Sequence, residues 1–239
     1  MRSSFDYDEI PTAYYDDVYR RHTGIQSKWH HMKFDFLQQL LKPSNFHLDI
    51  ACGSGTFLGS LRNTKSTHVG IDISLPQISE AQYRYGERNK FFLQSDAAQL
   101  PFPTDCFDIV TVVELIEHLP ISLVKKTLDE VFRILRPGGS LILSTPNYRS
   151  LIWVIEPMIG WFGEVSYKDQ HITKFTKARL QQTLQGVGFQ EISIQGFMFF
   201  APFSAFLGWK VPDYIAQLEP NLLRDRFGLL LSATVKKPI

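Results

Sequence analysis

Short apolar segments alternate with helical patterns through most of this chain, and this alternation is the feature that most limits how it can fold. The five clearest apolar segments are residues 46–51, 68–73, 90–95, 107–113 and 140–145. Their length and spacing predict buried β-strands, and the segments between them, such as 124–135, predict helices. Because right-handed crossovers place helices on both faces of a parallel sheet, we expect a doubly wound α/β fold.

Helical spacing also precedes the first of these strands. Residues 12–41 carry apolar side chains at helical intervals and end before Pro43, which predicts one or two N-terminal helices. We therefore divide the chain into an N-terminal helical cap, residues 1–45, and a main domain, residues 46–239.

The pattern changes after Tyr148. A helix is predicted over residues 177–185, and two further strands are predicted over 191–200 and 227–236. We expect these two strands to pair antiparallel at the sheet edge. The segment of about 26 residues between them has no clear strand character, and we expect it to lie over the ligand-binding end of the sheet.

Charge and composition exclude several classes of protein. The 239 residues include 25 Lys and Arg against 24 Asp and Glu, so the chain lacks the global positive field of non-specific nucleic-acid binders. Its two cysteines, Cys52 and Cys106, form no paired spacing typical of zinc sites. The acidic N-terminus is unlike a signal or transit peptide. The longest nearly apolar stretch, residues 197–209, is too short to cross a bilayer of about 30 Å. We expect a cytoplasmic protein, with contact at a membrane surface as a further expectation.

A glycine-rich turn, DIACGSG at 49–55, follows the first predicted strand. Gly53 and Gly55 let the backbone approach a ligand that a Cβ atom would exclude, although such a turn is also common without a ligand. The dinucleotide fingerprint G-x-G-x-x-G needs a small residue at position 58, where this chain has Leu58. The sequence therefore disfavours NAD.

Two more predicted strands end at acidic residues. Asp72 ends the second strand, where a carboxylate can accept both hydroxyls of a ribose. Asp96 and Ala97 follow the third, where they can receive an exocyclic amine and offer an N–H to an adenine edge. Taken singly, Asp72 or Asp96 is equally suited to cap the next helix. Together, the three strand ends predict a site for one adenosine-like ligand.

Five stretches resemble the successive motifs of class I S-adenosylmethionine-dependent methyltransferases. They are LDIACGSG at 48–55, GIDIS at 70–74, SDAAQLPF at 95–102, FDIVTVVELIEHL at 107–119 and ILRPGGSLILSTPN at 134–147. The resemblance covers about residues 46–200. It implies a Rossmann-like, seven-stranded sheet with its last strand antiparallel, and S-adenosylmethionine lying across the first strands.

The resemblance also implies particular cofactor contacts. Asp49, Gly53 and Gly55 would flank the methionine moiety of the cofactor. Asp72 would bind the ribose, and Asp96 with Ala97 the adenine. Ala51 stands where the family more often has glycine, and its small side chain is compatible with the assignment. The cofactor-binding residues expected in this way are Asp49, Ala51, Gly53, Gly55, Asp72, Ile73, Asp96, Ala97 and Glu114.

Glu114, Glu117 and His118 form a second candidate group. If a helical turn begins after the fourth strand, their spacing places them on one face, where two carboxylates and an imidazole can bind a divalent cation. The alternative has no metal: Glu114 contacts the cofactor, Glu117 is solvated, and His118 serves as a base or only caps a helix.

A second resemblance bears on this group. The segments VELIEHL, STPNY and QHITKFT resemble ubiquinone-type O-methyltransferases and the enzymes that methylate the terminal 2′-hydroxyl of small RNAs. It implies a metal held by Glu114, Glu117 and His118, with His171 completing the site in the RNA branch. Oxygen ligands with one or two imidazoles suit Mg²⁺ or Mn²⁺.

The methyl acceptor is expected to contact the segments that the cofactor motifs leave free, about residues 148–170 and 201–226. Both are apolar, and their large side chains can wall a pocket or rest on a membrane surface. In the alternative interpretation they complete the core and a lid. The residues concerned are Trp153, Met158, Trp161, Phe162, Tyr167, Phe197, Phe199, Phe200, Phe203, Phe206 and Trp209.

Three functions are consistent with these patterns. The first is O-methylation of a hydrophobic or lipid-linked small molecule by S-adenosylmethionine, with Glu114 and His118 as catalytic residues and a divalent metal as a further expectation. The second is metal-dependent methylation of an RNA 3′-terminal 2′-hydroxyl, which the near-neutral charge disfavours. The third is S-adenosylmethionine binding without catalysis, against which the Glu114, Glu117 and His118 group speaks. The sequence favours no oligomeric state.

Overall fold

The computed structural model describes residues 11–62, 65–150 and 171–239. Its strands are β1 (Phe46–Ile50), β2 (Thr67–Asp72), β3 (Lys90–Gln94), β4 (Phe107–Val113), β5 (Leu135–Pro146), β6 (Gln190–Phe197) and β7 (Leu230–Lys236). They form one seven-stranded sheet in the order β3-β2-β1-β4-β5-β7-β6.

Helices connect and cover these strands. They are α1 (Tyr14–Arg20), α2 (Gly24–Leu40), α3 (Thr56–Ser60), α4 (Leu75–Tyr85), α5 (Ile121–Ile134), α6 (Lys177–Val187), α7 (Val211–Leu218) and α8 (Asn221–Phe227). Two 3-10 turns, Ile116–His118 and Ala201–Leu207, complete the regular structure of the described residues.

The strand pairing confirms the expected fold. β3, β2, β1, β4 and β5 pair parallel. β7 lies between β5 and β6 and runs antiparallel to both. The chain therefore forms a Rossmann-like, doubly wound α/β sheet with its last strand antiparallel and helices at its N-terminal end.

Two segments differ from the sequence-based boundaries. The fifth strand begins at Leu135 instead of residue 140, because Leu135 pairs with Phe107 and the glycines that follow stay paired with the C-terminal segment. There the N–H of Gly138 donates to the Lys237 carbonyl and the N–H of Lys237 donates to the Gly139 carbonyl, both at 2.9 Å. The segment between β6 and β7, predicted only to lack strand character, contains the second 3-10 turn, α7 and α8.

The core lies on both faces of the central strands. Leu48 and Ile50 of β1 and Val110 and Val112 of β4 are completely buried. Four consecutive residues of β1 are buried, a pattern expected only for a strand that is covered on both sides. The two middle strands are thereby fixed, and their carboxyl ends lie side by side.

The N-terminal helices are attached to the sheet layer by a buried carboxylate. Asp16 of α1 is fully buried and accepts hydrogen bonds at 2.5 Å from the guanidinium of Arg84 and the hydroxyl of Tyr85, both on α4. A buried carboxylate without such donors would be strongly destabilising. This pairing fixes α1 against the C-terminal end of α4.

A chain of buried polar side chains crosses the three central strands. His68 of β2 lies 3.0 Å from His47 of β1 between their Nδ1 atoms, and His47 Nε2 lies 2.9 Å from the Thr111 hydroxyl on β4. Thr111 donates to Asp49 Oδ1 at 2.5 Å. All four residues are at most 3% exposed.

The directions of these hydrogen bonds follow from one another. Burial lowers the pKa of His47 to about 3 and that of His68 to about 4, so both rings are neutral. Thr111 donates its only hydrogen to Asp49, hence it accepts from the Nε2–H of His47. The Nδ1 of His47 then accepts from the Nδ1–H of His68. This series of hydrogen bonds ends with the Thr111 hydroxyl donating to Asp49, near the carboxyl end of β1.

Asp49 gives the structure a measurable pH dependence. Burial raises its pKa from 3.8 to about 7, although the Thr111 hydrogen bond opposes this shift. The contribution of this group to stability is complete below pH 4 and is lost as the pH rises through 7. We expect Asp49→Asn to be more stable than the wild type at pH 8 by up to about 4 kcal/mol, with the difference vanishing near pH 4. Urea unfolding at several pH values measures it.

Asp108 provides a control of opposite sign. It accepts hydrogen bonds from the N–H groups of Asn45 and Phe46 and from Arg136, and these outweigh its partial burial and lower its pKa. Asp108→Asn should therefore be less stable than the wild type at pH 8, with a difference that shrinks as the pH falls. If the two variants show the same pH trend, the assignment for Asp49 is wrong.

Candidate active site

The loop after β1 has an unusual backbone. Ala51, Gly53 and Gly55 all have positive φ angles, of 58°, 53° and 77°. A Cβ atom on Gly55 would lie 2.8 Å from the ring of Phe92, so packing requires this glycine. A Cβ atom on Gly53 would meet no atom within 4 Å. Gly53 therefore leaves open space beside the loop, and Ala51 adopts a conformation that costs a non-glycine residue about 1 kcal/mol.

Asp72 joins this loop to the end of β2. Its two carboxylate oxygens accept hydrogen bonds at 2.9 Å, one from the N–H of Gly53 and the other from the N–H of Ser74. Burial raises the pKa of Asp72, while these N–H groups oppose the shift. Each oxygen has a further lone pair, so the held carboxylate can still accept ribose hydroxyls.

The adenine side of the predicted site is more open. Asp96 is exposed, and its Oδ1 accepts from the N–H of Ala98 at 2.8 Å, with Ala97 between them half-buried. Ile73 and Leu75 are each more than half exposed next to Asp72. Large apolar side chains exposed at the edge of the sheet suit contact with a planar ring. Ile73 was among the expected residues, whereas Leu75 was not.

Glu114 stands directly after β4 and is held by a residue that the sequence did not reveal. Its backbone has a φ of 50°, and its N–H donates to the Ser144 carbonyl at 3.0 Å. The carboxylate forms an ion pair with Lys33 of α2, whose side chain is only 4% exposed. The buried ammonium thus links the N-terminal helices to the carboxyl edge of the sheet.

The structure brings three of the four predicted metal ligands together. Glu117, His118 and His171 each offer a ligand atom, and these atoms lie within 4.8 Å of one another. The backbone fixes this arrangement, because the N–H groups of Ile172 and Thr173 donate to the Glu117 carbonyl at 2.8 and 2.9 Å.

Glu114 is not part of this group. The sequence interpretation assumed a helical turn that would align Glu114 with Glu117 and His118. The observed turn is a 3-10 turn that begins only at Ile116, and the positive φ of Glu114 separates it from that turn.

Glu117 supplies the carboxylate of this three-residue group. It is 1% exposed; its Oε2 accepts from the Thr145 hydroxyl at 2.9 Å, and its buried Oε1 has no hydrogen-bond partner among the described residues. Burial raises the pKa of Glu117 to about 8, Glu114 adds to this shift, and His171 opposes it. A buried carboxylate oxygen without a donor is costly, and a cation or a proton would satisfy it.

His171 is oriented by a neighbouring phenol. The Tyr148 hydroxyl lies 2.5 Å from His171 Nδ1, and the rings of His118 and His171 are 5.0 Å apart between their centroids. A hydrogen bond at one imidazole nitrogen fixes the ring and leaves the other nitrogen for a ligand. Tyr148 was not among the expected site residues.

The segment before α1 reaches the glycine-rich loop. The N–H of Ala13 lies 3.1 Å from the Ser54 hydroxyl and 3.3 Å from Gln77 Oε1, and Ser54 donates to Gln77. No local pattern in the sequence predicts contacts between residues so far apart. They close one side of the space next to the loop.

The expected acceptor residues fall into different environments. Phe197 belongs to the core, where it stacks on Phe36 with 4.2 Å between ring centroids. Phe203 lies near Trp29 of α2, at 6.2 Å, whereas Phe206 is 75% exposed. The remaining residues of the earlier segment lie outside the described residues; they are Trp153, Met158, Trp161, Phe162 and Tyr167.

Comparisons with known proteins agree with this geometry. Residues 48–143 match a family model described as a methyltransferase domain. The chain is 26% identical over 193 residues to a demethylmenaquinone methyltransferase of Lactiplantibacillus plantarum, covering 71% of this chain and 81% of that protein. It is 27% identical over 164 residues to the chloroplastic 2-methyl-6-phytyl-1,4-hydroquinone methyltransferase of Arabidopsis thaliana, covering 60% of this chain and 48% of that protein.

Solved structures show the same fold. One is an S-adenosylmethionine-dependent methyltransferase of Thermotoga maritima, described as a possible histamine N-methyltransferase, with a TM-score of 0.68, 20% identity and coverage of 93% of this chain and 94% of that chain. Another, from Archaeoglobus fulgidus, has a TM-score of 0.67 at 20% identity and covers 94% of this chain and 100% of that chain. By its sheet order, its motifs and the match of residues 48–143, the chain carries an S-adenosylmethionine-dependent methyltransferase domain with the class I fold.

Proposed function

We propose that this methyltransferase transfers the methyl group of S-adenosylmethionine to a hydroxyl oxygen of a small hydrophobic acceptor of the hydroquinone type. The proposal rests on two features at the carboxyl edge of the sheet. Asp72 accepts a hydrogen bond from the Gly53 N–H, and the Glu117, His118 and His171 group follows β4. The acceptor class is supported by the quinone and hydroquinone methyltransferases among the relatives.

The cofactor contacts follow from the loop and the strand ends. Asp72 accepts the ribose hydroxyls, and Asp96 with Ala97 meets the adenine beside the exposed Ile73. Gly53 leaves room for the methionine moiety, whose positive sulfonium is attracted by the carboxylate of Asp49. Ala51, Gly55 and Glu114 shape the space around it.

Methyl transfer itself requires mainly positioning. When bound, S-adenosylmethionine would supply a methyl group activated by its positive sulfur for in-line transfer to the acceptor oxygen, with the electron pair of the carbon–sulfur bond remaining on sulfur. Holding donor and acceptor in line supplies much of the rate, since effective molarities reach about 10⁵ to 10⁸ M. The acceptor must also lose its hydroxyl proton. We assign His118 as the base that takes it when no metal occupies its imidazole.

A divalent metal fits the residues present. Glu117, with its unpartnered Oε1, and the imidazoles of His118 and His171 would hold it. When bound, such an ion lowers the pKa of a hydroxyl that it contacts and orients it. With two imidazoles and one carboxylate, Mn²⁺ suits the group better than Mg²⁺, which prefers an all-oxygen shell.

The metal proposal predicts a difference between two glutamates. At 1 mM Mn²⁺, wild-type melting temperature should rise by about 5 to 10 °C, as expected for a ligand at roughly a hundred times its Kd. Glu117→Gln should lose this rise and Glu114→Gln should keep it, because only Glu117 lies in the three-residue group. Differential scanning calorimetry with Mn²⁺, Mg²⁺ and Zn²⁺ measures it.

The exposed Glu87→Gln serves as a control for general effects of charge removal. Equal shifts in all four proteins, or none in any, would contradict the metal site.

The acceptor proposal predicts methyl transfer to a quinol. Methyl-labelled S-adenosylmethionine should label a short-chain hydroquinone, and mass spectrometry with NMR of the product should place the methyl group on oxygen. His118→Gln should lower kcat by about 10² to 10⁴ without changing the Kd for S-adenosylmethionine, whereas His22→Gln, far from the site in the sequence, should leave kcat unchanged. Labelling of a short RNA at its 3′ end, with none of the hydroquinone, would reverse the choice of acceptor.

A further inference from the structure

The region between β6 and β7 exposes an unusual amount of apolar surface. Five large side chains within residues 206–222 are each at least 64% exposed. Monomeric proteins expose single apolar residues commonly, but a cluster of this kind indicates a binding surface. We call the cluster the apolar patch; its members are Phe206, Leu207, Tyr214, Leu218 and Leu222.

Helical spacing places part of this patch on one side of the protein. Tyr214 and Leu218 are four residues apart on α7, so their side chains lie above one another on the same side of that helix. Lys210 precedes Tyr214 by another four residues and is also exposed. The outer side of α7 therefore combines a basic residue with two exposed apolar residues.

The acidic side chains between β6 and β7 bind groups of the same protein. Asp213 pairs with the buried Lys28 of α2 at 2.8 Å. Glu219 accepts from the N–H groups of Phe200 and Ala201 at 2.8 and 2.7 Å. The charge of Asp213 is thereby neutralised, whereas Glu219 keeps its charge and has one oxygen bound to backbone N–H groups.

Asp225 is occupied in the same way. It pairs with Lys177 at 2.6 Å and accepts from the N–H of Gly196 at 3.0 Å. All three acidic residues of this region are thus used internally.

The basic residues of the region behave differently. Lys210, Arg224 and Arg226 form no ion pair with any described residue. Arg224 donates only to Asn221, within the same helix, and Arg226 stacks over Phe227 at 5.5 Å. With the charge of Glu219 subtracted, the region carries a net positive charge of about two on an apolar surface, which is complementary to anionic lipid headgroups over an acyl layer.

We propose that the apolar patch docks this methyltransferase on an anionic membrane surface, with Lys210, Arg224 and Arg226 at the headgroups. In the described ranges no helix has the length and apolar character needed to cross a bilayer. A second copy of the chain fits this surface less well, because a twofold contact would bring like charges together. The docking surface does not depend on the proposed function.

The test uses flotation of the full chain with vesicles, without any methylation. At 0.1 M NaCl the wild type should float with vesicles of phosphatidylcholine and phosphatidylglycerol at 7:3 and bind much less to phosphatidylcholine alone. Replacing Tyr214, Leu218 and Leu222 together by serine should lower partitioning at least about tenfold. Lys210→Ser and Arg226→Ser should each lower it about fivefold on the anionic vesicles only.

A matched control replaces three exposed apolar residues elsewhere, Tyr83, Phe91 and Ile121, by serine. This variant should float like the wild type. All variants should keep the wild-type affinity for S-adenosylmethionine and melt within about 2 °C of it, since the replaced side chains are exposed.

Several results would overturn the docking surface. The wild type could fail to float, or the control could lose flotation as much as the patch variant does. The wild type could also be a dimer in solution while the patch variant is a monomer. A patch variant that melts many degrees lower would show that the chain itself covers these residues, and it would overturn the proposal too. Vesicle binding with no methylation of any hydroquinone would refute the proposed function and leave the docking surface standing.

Discussion

The hydrogen bonds between the Asp72 carboxylate and the N–H groups of Gly53 and Ser74 are the constraint on which the rest of this site depends. They tie the glycine-rich loop to the second strand and turn a half-buried acid into a fixed acceptor. The bonds are possible because β1 and β2 are parallel neighbours that end at the same edge of the sheet. The central apolar strands thereby determine where the cofactor site must lie.

Much of this arrangement could be predicted from local sequence. Continuous apolar segments mark the parallel strands, and the residues that follow them, such as Gly53 and Asp72, meet at one edge because of the topology alone. Contacts between distant segments could not be predicted. The Lys33–Glu114 ion pair and the docking of Ala13 on Ser54 depend on how the N-terminal helices pack. The positive φ of Glu114, which sets it apart from the turn with Glu117 and His118, is also not visible in an apolar pattern.

The site retains polar groups that cost the ligand-free protein stability. Burial raises the pKa of Asp49 to about 7 and that of Glu117 to about 8, so both carboxyl groups resist ionisation in the absence of a positive partner. A sulfonium beside Asp49 and a cation beside Glu117 would relieve these costs. Perturbed acids of this kind are common at functional sites, where stability is lost in exchange for affinity. In the ligand-free protein, the hydrogen bonds from His47 to Thr111 and from Thr111 to Asp49 keep the Asp49 carboxylate oriented.

The central claim is that the rim formed by the Gly53 loop and Asp72 binds S-adenosylmethionine. Isothermal titration calorimetry of the wild type, Asp72→Ala and the exposed-residue control Asp129→Ala tests it most directly. The account predicts saturable binding by the wild type and the control, and a Kd about 10 to 100 times higher for Asp72→Ala, since two hydrogen bonds to a charged group are lost. Equal affinity of all three proteins for S-adenosylmethionine, or saturation of the wild type by NAD alone, would contradict it.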